Sequence, residues 1–391
     1  MEVSGNKDAS MEQNSELEKT GNFFLITTIL ILFFGVVMVF SASYMYAREN
    51  FGSPTYFLFK QIIFITFGVG ASFLLARTKV NFWYKYAYQI NGMFIGLLAL
   101  TQVPGIGVVM KGSHRWINLG FMNLQPGEFV KYSIILAAIK YFENFNLYPT
   151  REKVINSLGL ILPLLIFLKQ PDFGTFAISS LLLAFIAYLS HFPRKLFWGL
   201  TVSGLVGAVA LLFGAEYRVK RILVFLDPWS DPKNSGFQII QSFLAFAQGG
   251  VTGQGLGNSN EKLFYLPESY NDFIFSVIGE ELGFIGVVGG VVLFLGFIYF
   301  GFKLALSLRS RLSSLLVSSV VFCIGVQAFL NMGVVLGLLP TKGLNLPFIS
   351  YGGSSMVANL AALGLVFSAV RWNGLDKKEA KKSRSSKALS A

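Results

Sequence analysis

A few charged side chains stand within or beside long apolar runs, and their spacing is suited to chemistry. Asp272 ends a long polar stretch and directly precedes the apolar run that begins Phe273-Ile274-Phe275. Two readings are open for it. Asp is a good helix N-cap, and a carboxylate held at a membrane edge can take a proton from a sugar hydroxyl. Glu280 and Glu281 follow in the same run, roughly 12–14 Å deeper at the helical rise per residue. Acids at that depth are costly and usually face a polar interior or a cation. The segment Gln125-Pro126-Gly127-Glu128-Phe129-Val130-Lys131 offers a partner. Pro suits the start of a helix, and Glu128 and Lys131 fall three apart on one face. These acids and the lysine either tie helices together or line a cavity.

Cations near the polar stretches suit phosphate groups. Tyr217-Arg218-Val219-Lys220-Arg221 places three of them within four residues. They can bind phosphate or lipid headgroups, or simply snorkel from a helix end. In Lys111-Gly112-Ser113-His114-Arg115-Trp116, Arg115 can clamp a diphosphate while Trp116 anchors at the interface. His114 is expected to be exposed and without a role. Pro340-Thr341-Lys342-Gly343 and then Pro347 to Ser355 form a polar stretch, with Ser350, Gly352 and Gly353, that leads into the last apolar run. It reads as a re-entrant turn lining a cavity or as a tight connection.

The longest polar segment has internal order. Asp227-Pro228-Trp229-Ser230-Asp231-Pro232 marks two successive turns. Ser235-Gly236-Phe237-Gln238 has the form of a capping box. In the run that it opens, Ile239, Ile240, Phe243, Leu244, Phe246 and Ala247 share one face, and Gln238, Gln241, Ser242 and Gln248 share the other. This predicts an amphipathic helix lying in the membrane interface, ended by Gly249-Gly250. Gly253, Gly255 and Gly257 follow, either to admit a ligand close to the backbone or to keep the loop flexible.

The elements that must position these groups follow from composition. Of 391 residues, 53% are hydrophobic and 13% charged, and Phe occurs 40 times. A soluble domain carries roughly 25% charge, so a bilayer is the fitting solvent. The net charge of +12 does not point to nucleic acid. Its Lys and Arg sit mainly in short connections and in the tail, which fits anionic headgroups. Segments long enough to cross fall at about 22–43, 56–76, 84–103, 126–143, 153–168, 173–190, 196–214, 273–302, 313–336 and 354–371. The expected fold is therefore an all-α polytopic membrane protein of about ten transmembrane helices, with a long extracytoplasmic loop near 215–272 between helices 7 and 8. Lys and Arg such as Arg77, Lys79, Arg151, Lys153, Arg194, Lys195, Arg309 and Arg311 outnumber those on the other side, which places both termini in the cytoplasm. Residues 1–21 and the basic tail 373–391 are expected to be disordered cytoplasmic segments. The first apolar run is long enough to span and remain, so no cleavable signal peptide is expected. The single cysteine, Cys323, leaves no intrachain disulfide.

Seven ordered motifs give the chain a family resemblance from about residue 22 to 372. They are Gly112 to Trp116; Gln125-Pro126 with Glu128 and Lys131; Gln170-Pro171-Asp172-Phe173-Gly174-Thr175; Asp227-Pro228-Trp229; Leu266-Pro267-Glu268 with Asp272-Phe273-Ile274-Phe275; Glu280-Glu281; and Phe348-Ile349-Ser350-Tyr351-Gly352-Gly353-Ser354. Together they resemble the SEDS family (FtsW/RodA/SpoVE) of bacterial cell-wall polymerases. Gly255-Leu256-Gly257-Asn258-Ser259 with Lys262, and Leu339-Pro340-Thr341-Lys342-Gly343, look most like the division branch; a sporulation relative would look very similar.

The resemblance implies a ten-helix fold in the bacterial cytoplasmic (inner) membrane. It also implies a glycosyltransferase that polymerises lipid II into β-1,4 glycan strands at the outer face, for septal wall synthesis, with loss of undecaprenyl diphosphate. The family's essential aspartate maps to Asp272, and its helix-four acid and base map to Glu128 and Lys131. Arg115, Lys131, Arg218, Arg221 and Lys342 are the candidates for substrate, and Glu280, Glu281, Ser350, Gly352 and Gly353 for the cavity. A divalent cation (Mg or Mn), with Asp272 as a contact, is the expected cofactor, and no organic one is. The expected partners are a class B penicillin-binding transpeptidase and other divisome membrane proteins. Where the family often has Ala-His before the Asp motif, this chain has Ser269-Tyr270. The rival readings are a lipid II flippase, an elongation or sporulation paralogue, and a scaffold that only recruits a transpeptidase.

Overall fold

The computed structural model describes residues 2–110, 113–120, 122–214, 219, 223–234, 236–259, 269–341 and 343–373. The helices are α1 (Glu2–Phe51), α2 (Tyr56–Ala76), α3 (Val80–Lys85), α4 (Ala87–Leu100), α5 (Pro126–Glu143), α6 (Thr150–Lys169), α7 (Phe173–Leu189), α8 (Arg194–Phe213), α9 (Phe237–Gly249), α10 (Ile274–Ser307), α11 (Arg311–Val335) and α12 (Gly353–Arg371). Each expected span falls on a helix, except that the third is divided at Tyr86 into α3 and α4. Two local differences stand beside this agreement. Helix α1 starts at Glu2, where a disordered leader was expected. The loop before α5 holds a small antiparallel sheet of three strands, β1 (Gly107–Met110), β2 (Ser113–Asn118) and β3 (Asn123–Leu124), in a chain expected to be all-α.

The bundle is arranged around α5, α11 and α12. Nearly every side chain of α5 is buried, although it carries Glu128 and Lys131. Around this centre α1 packs on α2 and α10, α2 packs on α12, and α4, α6 and α7 surround α5. The large side chains left facing outward are apolar, among them Phe33, Phe67, Leu158, Leu205 and Ile285. Among the described residues, five helices are long and apolar enough to cross a membrane. Apolar side chains both inside and outside, with polar groups confined to the centre, is the pattern expected when the surroundings are hydrocarbon. Below, the end of the bundle carrying Asp272 is called the outer end, following the charge distribution of the sequence.

Helix α9 covers the run read as an amphipathic helix. It packs lengthwise on α10. Near its start the Ser242 hydroxyl donates to the Val335 carbonyl at 2.7 Å. At its end a Cβ on Gly249 would stand 2.0 Å from the Gly279 carbonyl oxygen. The chain then turns and pairs with a break in α10, where Gly283 has φ 66°. Gln254 and Gly255 donate their amides to the Glu280 and Glu281 carbonyls at 3.0 and 2.9 Å. Phe284 and Ile285 donate theirs to Gly250 and Val251 at 2.9 and 3.2 Å. The break in α10 thus leaves carbonyls and amides that the incoming loop satisfies, as irregular backbone at membrane depth requires. Of the clustered glycines, Gly253 is required by the close backbone approach. Gly253 has φ 79°, and a Cβ on it would lie 2.2 Å from the Glu281 carbonyl oxygen.

Candidate functional site

Asp272 sits in a tight turn before α10. The N-cap position belongs to Phe273, with no side-chain cap, so the carboxylate of Asp272 is not the helix cap. The backbone around it is fixed by three donors, two from the stretch before α12 and one from α11. Tyr351 donates its amide to the Tyr270 carbonyl at 3.0 Å. The Ser350 hydroxyl donates to the Asn271 carbonyl at 2.7 Å. The Asn331 amide nitrogen donates to the Asp272 carbonyl at 2.7 Å. Three successive carbonyls are thereby caught, two of them by the stretch leading into α12.

The Asp272 carboxylate lies beside Gly343, where a Cβ would stand 3.1 Å from Oδ2. The glycine in Pro340-Thr341-Lys342-Gly343 thus gives the carboxylate its room. Gly352 and Gly353 act by packing: a Cβ on either would meet Asn345 Nδ2 at 2.2 Å or the Phe64 ring at 2.6 Å. Phe348 has φ 65° and is buried. A left-handed conformation is strained in a bulky residue, and it belongs to the turn that carries Ser350 and Tyr351. Burial, with Tyr56 nearby, pushes the Tyr351 hydroxyl up to about 12, which keeps it neutral. Tyr270, standing where the family often has His, packs its ring 4.7 Å from Phe57 and 5.4 Å from Tyr46.

Glu128 and Lys131 meet as the spacing predicts. Lys131 Nζ donates to Glu128 Oε2 at 2.8 Å, and both side chains are buried. The same ammonium donates to Gln327 Oε1 on α11 at 2.5 Å. Gln327 Nε2 in turn donates to the Asn345 carbonyl at 2.9 Å. One turn farther along α11, Asn331 bonds the Leu344 carbonyl at 2.6 Å besides that of Asp272. The acid–lysine pair and the Asp272 turn are thus connected through one face of α11. Gln327 and Asn331 escaped the sequence reading. The signal available was two amides four residues apart, on one helical face, in an otherwise apolar span.

The structure separates other candidates from this centre. Arg115 on β2 donates to the Gln170 and Pro171 carbonyls at 3.3 and 2.6 Å and stands 3.9 Å from Asp172. Its guanidinium ties the small sheet to the turn before α7, rather than standing open for a diphosphate. Glu280 and Glu281 do not extend the α5 pair into one cluster. Glu281 accepts from the Ser41 hydroxyl of α1 at 2.7 and 2.6 Å, and Glu280 accepts from Ser259 of the re-entrant loop. Both are fully buried where the loop docks. Arg218, Lys220, Arg221, Lys262, Lys342, Lys111, Gly112 and Leu266-Pro267-Glu268 lie outside the described residues. Among the described residues, no three His, Cys, Asp or Glu side chains come together to hold a metal.

A helical bundle with a buried acid–lysine pair, linked through a central helix to an aspartate turn at one end, defines a polytopic membrane protein with polar groups built into its interior. The chain belongs to the FtsW/RodA/SpoVE family: the family model FTSW_RODA_SPOVE, described as a cell cycle protein, matches residues 22–373. It is 42% identical over 364 residues to the probable peptidoglycan glycosyltransferase FtsW of Geobacter metallireducens, covering 90% of this chain and 94% of the relative. It is 38% identical to the stage V sporulation protein E of Bacillus subtilis, covering 89% and 96%. A solved structure described as the structural coordination of polymerization and crosslinking by a peptidoglycan synthase complex aligns with TM-score 0.72 and 29% identity, over 90% of this chain and 97% of that one. The rod shape determining protein RodA of Thermus thermophilus aligns with TM-score 0.66 and 25% identity, over 90% and 96%.

Proposed function

We propose that this chain is a peptidoglycan glycosyltransferase that polymerises lipid II into β-1,4 glycan strands at the outer face of the bacterial cytoplasmic membrane. Septal synthesis in cell division is the favoured role, since its similar relatives include several named FtsW. The observation that carries the catalytic assignment is the turn at 270–272. Three donors fix its carbonyls, and a glycine leaves its carboxylate room. Asp272 is the general base: it takes the proton from the acceptor sugar hydroxyl as that oxygen attacks the anomeric carbon of the donor. The new C–O bond forms as the bond to diphosphate breaks, and undecaprenyl diphosphate leaves.

The leaving diphosphate needs positive charge. Lys131 is buried and engaged with Glu128, so its part is to hold the centre of the bundle while Arg218, Arg221 and Lys342 meet the diphosphate. A divalent cation of the Mg or Mn kind would have Asp272 as its protein carboxylate and the substrate's phosphate oxygens as further ligands, a pattern usual for Mg²⁺. When bound it would neutralise the leaving charge. A single-pass class B penicillin-binding transpeptidase is the proposed partner, in line with the synthase complex that the fold resembles.

The test is a lipid II polymerisation assay with and without that transpeptidase and a chelator. Wild type is expected to yield glycan polymer and Asp272→Ala none. Polymer from Asp272→Ala at the normal rate would remove Asp272 from the reaction.

A further inference from the structure

We propose that Asn331 and Gln327 on α11 are positioning residues for glycosyl transfer. Asn331 sets the backbone of the base, and Gln327 keeps the neighbouring 344–345 segment in register with the Lys131–Glu128 pair. The proposal rests on the reading of Asp272 as the general base. Asn331 is 2% exposed, and its single amide nitrogen donates to two carbonyls, those of Asp272 and Leu344, at 2.7 and 2.6 Å. Both partners are acceptors, so the orientation of the amide is forced. Its Oδ1 is buried and has no hydrogen-bond partner among the described residues. An unmatched buried acceptor is costly, and a side chain serving only packing would be better replaced by Leu. What the amide supplies is a pair of donors that joins the Asp272 turn to the strand-like stretch carrying Gly343.

Gln327 repeats the device one turn away. Its Oε1 accepts from Lys131 and its Nε2 donates to the Asn345 carbonyl at 2.9 Å; again the chemistry of the partners fixes the orientation. The two amides therefore grip residues 344 and 345 side by side, and each holds one further group: Asp272 in one case, Lys131 in the other. Helix α11 acts as the ruler between them. Neither residue touches the reacting atoms. Their contribution is geometric, and a displacement of about 1 Å at a catalytic group can cost about 10²-fold in rate.

The experiment compares Asn331→Leu and Asn331→Asp with wild type in the polymerisation assay, recording kcat, KM, pH profile and thermal midpoint. Leu matches Asn in shape but donates nothing. We expect kcat, taken per folded enzyme at a temperature below both midpoints, to fall about 10²-fold with KM within about twofold, and the midpoint to fall as well, because two carbonyls lose their donor. Asp offers one hydrogen, and only while protonated. Its kcat relative to wild type is expected to be highest at acid pH and to fall as pH rises. Ser319→Ala, elsewhere on α11, where the hydroxyl bonds only within its own helix, should leave kcat unchanged. Wild-type kcat from folded Asn331→Leu, or an Asn331→Asp profile parallel to wild type, would overturn the proposal even if Asp272→Ala is inactive. An active Asp272→Ala would instead remove the base itself. If Asn331→Leu does not fold, the pH profile of Asn331→Asp decides alone.

Discussion

A general base, the role proposed for Asp272, works only where its carboxylate is held, and at residue 272 the holding is done by others. The carbonyls of Tyr270, Asn271 and Asp272 are fixed by Tyr351, Ser350 and Asn331. Gly343 tests the room beside the carboxylate. With a Cβ at that position only 3.1 Å from Oδ2, a branched side chain displaces the acid. For Gly343→Val we expect kcat to fall at least about tenfold, with little change in thermal midpoint; an unchanged kcat would show that the carboxylate has room to spare. The sequence made Asp272, Glu128 and Lys131 legible because charge is rare in apolar runs and spacing along a helix is simple. It did not make Gln327 and Asn331 legible, because uncharged amides in a span raise no alarm until their partners are seen. Arg115 shows the opposite limit. Its type suited a diphosphate, but the carbonyls of Gln170 and Pro171 are contacts no local pattern foretells.

At the scale of elements, α9 is the instructive case. Its periodicity correctly gave a helix with an apolar face, but not what that face meets. The pattern names no partner for that face; α10, with its break at Gly283, supplies one. Glycine makes the docking possible. At Gly253 an added Cβ would meet the Glu281 carbonyl oxygen at 2.2 Å, and φ is 79°. Gly253→Ala therefore carries both backbone strain and a clash, a penalty of about 1 kcal/mol or more. We expect the amides of Gln254, Gly255, Phe284 and Ile285 to exchange with deuterium about tenfold faster or more, because their mutual hydrogen bonds open together. Gly199→Ala on α8, where a Cβ meets nothing within 4 Å, should leave them unchanged. Unaltered exchange in Gly253→Ala would mean that the loop is held by the Ser259–Glu280 and neighbouring side-chain contacts instead of by the backbone pairing.

At the scale of the molecule, the two ends of the bundle are built for different work. One end holds the Asp272 turn, the small sheet and the docked loop. At the other, Arg311 donates through Nε and Nη2 to Glu143 and, through Nη2, to the Leu189 carbonyl, at 3.0, 3.3 and 2.8 Å. The backbone amide of His191 joins the same carboxylate at 3.2 Å. This clamp ties α5, α7 and α11 where the connections are short and basic, with Arg151, Lys153, Arg194, Lys195 and Arg309 nearby in sequence. Such charge is favoured on the cytoplasmic side, and the proposed polymerisation of a lipid-linked sugar at the outer face requires the Asp272 end to lie outside. Single-cysteine reporters test this directly. Leu338 and Leu147 are 69% and 79% exposed at opposite ends, and the native thiol of Cys323 is buried and should stay silent. A membrane-impermeant maleimide applied to intact spheroplasts is expected to label Leu338→Cys at once, and Leu147→Cys only after permeabilisation. The reverse order would turn the whole bundle over and place Asp272 in the cytoplasm, where the proposed outer-face polymerisation could not occur.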